Sequence, residues 1–436
     1  MLDLSIFTKS LDGQAVYVYG LGISGLASAE ALIKAGAKVI AWDDKEAPRN
    51  KAAQFGADIA NYQDVDFSNI ACVLLSPGIP LTHPVPHPIV EIAHSREAEV
   101  IGDVEILGRV LPHHVKTIGI TGTNGKSTTT ALLGHVLNEC GMEAVIGGNI
   151  GNPALTLSIK ETTQIVVLEL SSYQIDLCPS FRPDIGVLLN ISADHIERHG
   201  SLAQYAAVKA RIFGHHTRPI ISIDDRLSEE IFDVEAEMGK APVIMTLKQP
   251  LPFKTDSLKT LTGKHNHQNA LAVYLVCQQL ELAPDKVLRA METFPGLAHR
   301  QQIIRTIGKV TFINDSKATN AEAAGKALEA YNNIYWIVGG QAKEGGLHGL
   351  ESCMPKVKKA YLIGEAANEF AGWLERENIP FDLCWTLDKA VSEAAEEAKV
   401  LGEEAVVLLS PACASWDQFN SFEHRGQVFE QCVKAL

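Results

Sequence analysis

Residues 117–133 read TIGITGTNGKSTTTALL, and this stretch constrains the fold more than any other part of the chain. A short apolar run leads into a glycine-containing turn, and the turn leads into residues that can be helical. A strand, a turn and a helix N-terminus in this order form a cradle for anions, because main-chain N–H groups point into it and the helix dipole adds partial positive charge. The stretch therefore predicts a phosphate-binding loop in an α/β domain.

Two residues of this loop have the chemistry of a nucleotide site. Lys126 would bring a full positive charge to the β- and γ-phosphates, and Ser127 a hydroxyl group for Mg²⁺. The general P-loop pattern has another glycine five residues before Gly125, where this chain has Ile120. The alternative is an ordinary strand-to-helix turn with a surface lysine, but Gly-Lys-Ser-Thr stands where the phosphate site needs it.

Composition narrows the class of protein. The chain has 436 residues, of which 46% are hydrophobic and 21% charged, as in a globular protein of two to four domains. Its net charge of −14 disfavours non-specific binding to nucleic acid and to anionic membranes. The eight cysteines form no C-x-x-C pair and no zinc-type spacing, and the N-terminus resembles no signal peptide. Reduced thiols in a cytoplasmic protein are expected.

A second glycine pattern lies near the N-terminus. A β-rich run precedes Gly20, Gly22 and Gly25, and a second predicted strand ends at Asp43-Asp44. This is the dinucleotide fingerprint, which suits a diphosphate followed by a ribose diol. NAD, FAD and UDP-sugars all carry these groups, and a tight turn without a ligand is the remaining alternative.

Several predicted strands end in polar residues, where open α/β sheets bind ligands. One leads to Ser76-Pro77-Gly78, and another delivers Asp194-His195. The apolar run 165–170 is interrupted near its end by Glu169, a position from which a carboxylate opposite a phosphate loop can hold Mg²⁺. The alternatives are a helix-capping or salt-bridged glutamate at position 169 and a hydrogen-bonded structural histidine at position 195.

Helical segments carry polar residues whose role the pattern leaves open. Lys209 lies in a helix-like run and would by itself be a solvated lysine. Asn266 and Asn269 lie one turn apart at the start of a long apolar helix, where they either read an adenine edge or cap the helix. Residues 89–110 are predicted to be helical, and residues 217–261 to form strands and loops.

The C-terminal part again alternates strands and helices. Its first predicted strand leads to NDSKATN, residues 314–320, which places a lysine and capping groups at a helix start. The predicted fold class is thus α/β with three domains. They are a Rossmann-like N-terminal domain (1–110), a central P-loop ATPase domain with a parallel sheet (111–297) and a Rossmann-like C-terminal domain (298–436).

These segments together resemble the Mur ligase family, the ATP-dependent amide ligases of peptidoglycan precursor synthesis, together with folylpolyglutamate synthase. The resemblance runs in order over nearly the whole chain. It comprises GLGISG, SPG, TGTNGKST, GGNIG, LELSSYQ, Asp194-His195, Lys209, GKHNHQNALA, His299-Arg300, NDSKATN, GGQAK and SPACASWDQF. NDSKATN and SPACAS look most like the family members that add D-glutamate.

The resemblance implies a ligase reaction. ATP, UDP-N-acetylmuramoyl-L-alanine and D-glutamate would give ADP, phosphate and an amide through an acyl phosphate. The first domain would bind UDP, the central domain ATP, and the third domain the amino acid. The resemblance also implies two Mg²⁺ ions and a carbamylated Lys209, in a cytoplasmic monomer.

The same resemblance assigns residues to sites. The catalytic residues would be Lys126, His195, Lys209 and Lys317. Around ATP it places Gly122, Thr123, Asn124, Gly125, Lys126, Ser127, Thr128, Asn266, Asn269, Arg300 and Asp315, and the metal ligands would be Ser127, Glu169, His195 and Lys209. The UDP-sugar site would comprise Gly22, Ser24, Asp43, Ser76, Gly78, Asn149, Ser171 and Gln174. D-Glutamate would be held by Thr319, Lys343, Ser415 and Phe422.

Two other classes of protein would use part of these features. A nicotinamide dehydrogenase would explain residues 20–43 but would leave the ATP loop without a role. A nucleotide-driven switch would use the ATP loop but would not need three ligand crevices.

Overall fold

A computed structural model of the chain describes residues 2–258, 260–261, 263–343 and 345–436. The described residues form three sheets with helices packed against them, which confirms the predicted α/β class. By their internal contacts they divide into two compact units, Met1–Phe294 and Pro295–Leu436. The finer domain boundaries, at 110/111 and 297/298, remain predictions.

The first sheet has five parallel strands in the order β3-β2-β1-β4-β5. Its strands are β1 (Ala15–Tyr19), β2 (Val39–Trp42), β3 (Asp58–Ile59), β4 (Ile70–Leu75) and β5 (Glu99–Ile101). Its helices are α1 (Ser5–Ser10), α2 (Ile23–Lys34), α3 (Glu46–Gln54), α4 (Pro88–Ser95) and α5 (Asp103–Val110). The strand order reverses between β1 and β4, so the carboxyl ends of these two strands border the expected ligand crevice.

The prediction that residues 89–110 are helical throughout was wrong, since β5 separates α4 from α5. Val100 pairs with Val73 of β4, and Ile101 pairs with Leu74. These two β-branched residues complete the sheet edge, and that pairing outweighs the helix-forming tendency of the residues around them.

The second sheet has six parallel strands in the order β11-β10-β9-β6-β8-β7. Its strands are β6 (Lys116–Thr121), β7 (Ala144–Gly148), β8 (Ile165–Glu169), β9 (Ile185–Leu188), β10 (Arg218–Ser222) and β11 (Val243–Met245). Its helices are α6 (Lys126–Glu139), α7 (Ser172–Asp176), α8 (Ile196–His199), α9 (Leu202–Ala210), α10 (Arg226–Glu237), α11 (Lys264–Gln279) and α12 (Pro284–Glu292).

Helix α10 corrects the prediction of only strands and loops over residues 217–261. Its N-cap is Asp225, whose side chain accepts a hydrogen bond from the main-chain N–H of Ser228 at 2.9 Å. This capping pattern was present in the sequence and is a usual helix start.

The first two sheets share one hydrophobic core. A single cluster of buried residues contains Val16 and Leu32 from the first sheet layer and Val166 and Leu168 from β8. Helix α5 and the 3₁₀ turn Ala154–Thr156 contact each other within this unit. Because this core is continuous, the first two sheets and their helices form one compact unit.

The third sheet, in the second unit, has the order β12-β13-β17-β14-β15-β16, with β12 antiparallel to β13 and the other pairs parallel. Its strands are β12 (Gln302–Ile307), β13 (Val310–Asn314), β14 (Ile334–Gly339), β15 (Val357–Ile363), β16 (Phe381–Trp385) and β17 (Ala405–Leu409). Its helices are α13 (Ala321–Ala330), α14 (Ala367–Arg376), α15 (Leu387–Leu401) and α16 (Phe422–Ala435). Across the described ranges, we find no helix with the length and apolarity to cross a bilayer.

Candidate active site

The predicted phosphate loop lies between the central strand β6 and helix α6. Gly125 is the N-cap of α6, with φ of +87°, and Gly122 has φ of +154°. A Cβ atom on Gly125 would lie 2.3 Å from Oδ1 of Asn269, so this position accepts no larger residue without movement. The loop therefore has the strand, glycine turn and helix start that phosphate binding requires.

Helix α11 contacts this loop through Asn269, one of the two predicted asparagines. Asn269 Nδ2 donates to Oδ1 of Asn266 at 3.2 Å, so the two side chains share one helix face. The hydroxyl group of Thr129, in the first part of α6, donates to Oδ1 of Asn269 at 3.1 Å. The structure thus brings Asn269 to the phosphate loop and joins Asn266 to it by a hydrogen bond.

A third asparagine, Asn190, was missed by the sequence reasoning. Its Oδ1 accepts from the main-chain N–H of Asn124 at 2.9 Å, and its carbonyl oxygen accepts from the N–H of Thr123 at 2.9 Å. Its Nδ2 donates to Oε1 of Gln268 at 3.2 Å. Asn190 lies two residues beyond the end of β9, and this position near a strand end was the available signal.

Two lysines lie at the loop. Lys126 Nζ donates to the carbonyl oxygens of Gly122 and Thr123, at 2.9 and 2.8 Å. Lys209, on α9, is only 1% exposed, and its Nζ donates to the same Gly122 oxygen at 2.9 Å and to Thr121 Oγ1 at 3.3 Å. Burial and the neighbouring Lys126 charge hold the pKa of Lys209 well below the usual value for lysine.

Glu169, at the end of β8, is the predicted metal-binding carboxylate. It is 2% exposed, and its Oε1 accepts from Nδ2 of Asn149 at 2.9 Å. Its Oε2 is buried and has no hydrogen-bond partner among the described residues. Because an unpaired buried carboxylate oxygen is costly, this atom fits a role as a ligand for a hard cation.

His195 precedes helix α8 with φ of +53°. Its side chain is half-exposed, with ring nitrogens 3.5 Å from Asp194 Oδ2 and 3.7 Å from Glu197 Oε1. No group of three or more histidine, cysteine, aspartate or glutamate side chains with metal-binding geometry occurs in the described part of the chain. The predicted metal ligands include only two residues of these four types, Glu169 and His195. The predicted metal site therefore stays a prediction.

Ser171 and Gln174, two residues of the predicted UDP-sugar site, form a capping box at the start of α7. Beside them lies His199, which the sequence reasoning missed. Its Nε2 is 2.9 Å from Oγ of Ser172. Burial lowers the pKa of His199 to about 4, so its ring is neutral at pH 7.

Predicted UDP residues lie at the carboxyl ends of β1, β2 and β4. Asp43 Oδ2 accepts from the N–H of Leu21 at 2.7 Å and thereby fixes the glycine turn. A Cβ atom on Gly20 would lie 2.6 Å from Cβ of Ser76, so the two predicted loops are adjacent. Gly22 is the N-cap of α2, and nothing lies within 4 Å of a Cβ placed on it.

In the second unit, Asp315 follows β13 and is 4% exposed. Its Oδ2 accepts from Ser410 Oγ at 2.8 Å and its Oδ1 from the N–H of Gln301 at 3.1 Å. Burial raises the pKa of Asp315 to about 7. Lys317, which is exposed, lies with Nζ 4.0 Å from the ring centre of Phe422.

A buried arginine connects the predicted amino-acid site, and sequence reasoning missed it. Arg425 is 1% exposed, and its Nε donates to Oγ of Ser316 at 2.9 Å. Its Nη2 donates to the carbonyl oxygens of Ser316 and Cys413, at 2.9 and 3.1 Å. It thus joins NDSKATN to SPACAS, the two segments that contain Thr319 and Ser415. Burial lowers the pKa of Arg425 to about 10.

Three sheets flanked by helices, a phosphate loop and a second glycine turn are the features of a nucleotide-dependent enzyme with several domains. Family models match three segments: "Mur ligase MurD-like, N-terminal domain" at 14–102, "Mur ligase middle domain" at 120–249 and "Mur ligase, glutamate ligase domain" at 299–413. The chain belongs to the Mur ligase family.

Curated relatives cover almost the whole chain. UDP-N-acetylmuramoylalanine--D-glutamate ligases from Rhizobium meliloti and Caulobacter vibrioides are each 44% identical to it, over 98% of this chain and 97% of theirs. A solved UDP-N-acetylmuramate-alanine ligase from Thermotoga maritima is 18% identical, with a TM-score of 0.60 over 97% of this chain and 99% of that one. This last similarity shows the fold alone.

Proposed function

We propose that the chain is an ATP-dependent ligase that adds D-glutamate to UDP-N-acetylmuramoyl-L-alanine. The observation that carries this proposal is the 44% identity to ligases named for that reaction, over nearly the full length of both chains. The phosphate loop in the central sheet supports the use of ATP. The reaction joins ATP, the acid and the amine, and yields ADP, phosphate and the amide.

The acid needs activation because a carboxylate is a poor acylating agent. Transfer of the γ-phosphoryl group to the alanine carboxylate breaks the bond to ADP and forms an acyl phosphate. The D-glutamate amine then attacks the acyl carbon, loses a proton and expels phosphate. Such transfers depend on positioning and on compensation of negative charge. Lys126 and the first turn of α6 would supply that charge compensation.

Magnesium would be held by the unpaired oxygen of Glu169, with Ser127, His195 and a modified Lys209 as the other ligands. When bound, Mg²⁺ neutralises charge on the phosphate oxygens. We propose that Lys209 reacts with CO₂: its neutral amine attacks the carbon and loses a proton, which leaves a carbamate anion. The burial of Lys209 and its lowered pKa support this step, since only the neutral amine reacts. A site with two Mg²⁺ ions, rather than one, would need the carbamate of Lys209 as an additional anionic ligand.

The remaining sites follow the family assignment. UDP would lie on the glycine turn and at Ser76 and Gly78, and D-glutamate would be held in the C-terminal domain by the four residues assigned above. The proposal also includes a monomer in the cytoplasm, a compartment that suits the eight free cysteines.

One experiment tests the proposal against its rivals. Purified protein is incubated with ATP, Mg²⁺ and UDP-N-acetylmuramoyl-L-alanine, with a panel of L- and D-amino acids added singly, and phosphate release and product mass are measured. We expect release only with D-glutamate. ATP hydrolysis that does not depend on the UDP substrate would indicate a nucleotide switch. In a parallel incubation with NAD(P)H, an absorbance change would indicate a dehydrogenase. Lys126→Ala is the control and should abolish release while circular dichroism stays unchanged.

A further inference from the structure

One arginine holds the turn that follows β4, called here the SPG turn (residues 76–79). Arg198, on helix α8, donates from Nη1 to the carbonyl oxygen of Gly78 at 2.8 Å. Its Nη2 donates to the carbonyl oxygens of Ile79 at 2.9 Å and Pro77 at 3.3 Å. Three successive carbonyl groups therefore point at one rigid, planar guanidinium group.

These contacts fix the direction of the peptide planes in the SPG turn. The peptide bond between Pro77 and Gly78 is trans, so the N–H of Gly78 points away from the Pro77 carbonyl and hence away from Arg198. The N–H of Ile79 is likewise turned away and donates to the carbonyl oxygen of Ser76 at 2.9 Å. The arginine thus makes the turn present an N–H group on its opposite side.

The SPG turn also abuts the glycine turn of the first sheet. The N–H of Ser76 donates to the carbonyl oxygen of Tyr19 at 2.9 Å, and a Cβ on Gly20 would lie 2.6 Å from Cβ of Ser76. A change in the direction of the SPG turn would therefore alter the crevice in which the diphosphate is expected.

The same arginine packs on α7, the helix that begins with the capping box of Ser171 and Gln174. Its Cζ atom lies 4.6 Å from the ring centre of Tyr173, on α7, and its Nε is buried without a hydrogen-bond partner in the described ranges. The ring of His199, also on α8, stacks on the ring of Tyr173, with ring centres 5.5 Å apart. Helix α8 thus touches the SPG turn through Arg198 and α7 through both residues.

We propose that Arg198 is a positioning residue for the UDP-sugar substrate. By binding three carbonyl groups it orients the SPG turn so that the N–H of Gly78 faces the substrate, and it fixes this turn relative to α7 and to His195 at the start of α8. The inference rests on the proposed function, because it names the residue that sets the geometry of the acid substrate's site.

The test compares Arg198→Ala and Arg198→Lys with wild type. Calorimetry measures the Kd for UDP-N-acetylmuramoyl-L-alanine, and steady-state assays measure KM for each substrate. Arg198→Ala should raise Kd and KM for the UDP substrate at least about tenfold, as expected for lost hydrogen bonds from a charged donor. KM for ATP and D-glutamate should stay near wild type. Arg198→Lys keeps the charge but not the fork, so its KM should lie between the two.

Arg182 offers a matched control. It also donates to three carbonyl groups, those of Cys178 at 3.0 Å, Phe181 at 2.6 Å and Pro179 at 3.4 Å, but all three lie in its own chain segment. Arg182→Ala should lower the thermal midpoint without changing the KM for the UDP substrate.

Chemical rescue gives a second test of Arg198. Addition of methylguanidinium to Arg198→Ala should restore part of the affinity for UDP-N-acetylmuramoyl-L-alanine.

The outcomes separate the two proposals. If the wild-type chain neither binds nor uses UDP-N-acetylmuramoyl-L-alanine, the proposed function fails and this inference fails with it. If Arg198→Ala binds the substrate as tightly as wild type does, only the role of Arg198 is overturned. The same holds if Arg198→Ala and Arg182→Ala raise the KM values for all substrates alike.

Discussion

Lys126 and Lys209 donate to the same acceptor, the carbonyl oxygen of Gly122, each at 2.9 Å. Two ammonium groups at one oxygen repel each other, and only Lys209 is almost fully buried. Both effects favour the neutral amine at Lys209. The surroundings of Lys209 therefore favour the form of the amine that the proposed reaction with CO₂ requires.

We predict that Lys209 forms a carbamate that activity requires. With ¹³C-bicarbonate, wild type should show a carbamate carbon signal in NMR spectra that Lys209→Arg lacks. At fixed CO₂ the signal should grow as pH rises, because more of the amine is then neutral. Lys209→Arg should lose at least about 100-fold in kcat, since it retains charge but supplies no metal ligand.

The matched test of this prediction is chemical rescue. Acetate added to Lys209→Ala should restore part of the activity, because it can occupy the vacated space as an anion. An active Lys209→Arg enzyme, or equal carbon signals in both proteins, would contradict the carbamate.

We also predict that the close approach of Gly125 to Asn269 determines ATP binding. Gly125 and Gly141 both have φ of +87°, but nothing lies within 4 Å of a Cβ on Gly141, whereas a Cβ on Gly125 would lie 2.3 Å from Asn269. Gly141→Ala should cost about 1–2 kcal/mol of stability, from backbone strain alone. Gly125→Ala should cost more and raise KM for ATP at least about tenfold, equivalent to about 1.4 kcal/mol. Equal KM values for the two variants would refute the importance of the contact.

The fold was readable from the sequence wherever local signals agreed. The phosphate loop, the glycine turn at Gly20 and the helix after Asn320 each combine a strand, a turn or cap and a helix, and all were confirmed. The strand Glu99–Ile101 was not readable, because it is stabilised by pairing with β4, a contact distant in sequence.

The candidate site was only partly readable. Lys126 is marked by its motif, whereas Lys209 sits in an ordinary helical pattern and was assigned only through the family resemblance. Asn190, Arg198 and Arg425 bind main-chain atoms, and such contacts leave no spacing rule in a sequence. Residues that position a loop through its carbonyl groups therefore need the folded structure to be found.

For the first domain we predict binding of UDP and its sugar derivatives rather than NAD. The glycine turn, which Asp43 fixes, suits either ligand. Because ATP has its own loop in the central domain, we expect the UDP substrate to bind at the glycine turn. Calorimetric titration of the whole chain should give a Kd in the micromolar range for UDP-N-acetylmuramoyl-L-alanine. A Kd of about 1 μM corresponds to a binding free energy of about −8 kcal/mol. Titration with NAD should give no heat of binding. Tight NAD binding that UDP does not displace would refute the prediction.

The last prediction concerns Asp315, whose pKa burial raises to about 7. In the unfolded chain this carboxyl group has a pKa near 3.9. Between these values the folded state holds a proton that the unfolded state has lost, so stability falls as pH rises from about 4 to 7, by up to about 4 kcal/mol. Asp315→Asn cannot ionise and should remove this fall, so that the variant gains most over wild type at pH 8. Urea unfolding followed by tryptophan fluorescence measures it, because four of the five tryptophans lie in Pro295–Leu436.

Two comparisons isolate the Asp315 effect. The pKa of His299 is lowered by burial, which makes stability rise with pH in part of the same window, but this contribution is common to wild type and variant. Asp388 has a lowered pKa, chiefly because the Thr386 side chain hydrogen-bonds to it, so Asp388→Asn should lose stability above about pH 4 and leave the slope between pH 5 and 7 unchanged. If wild type and Asp315→Asn show the same slope over that range, Asp315 is ionised in the folded protein, and its burial does not control its charge.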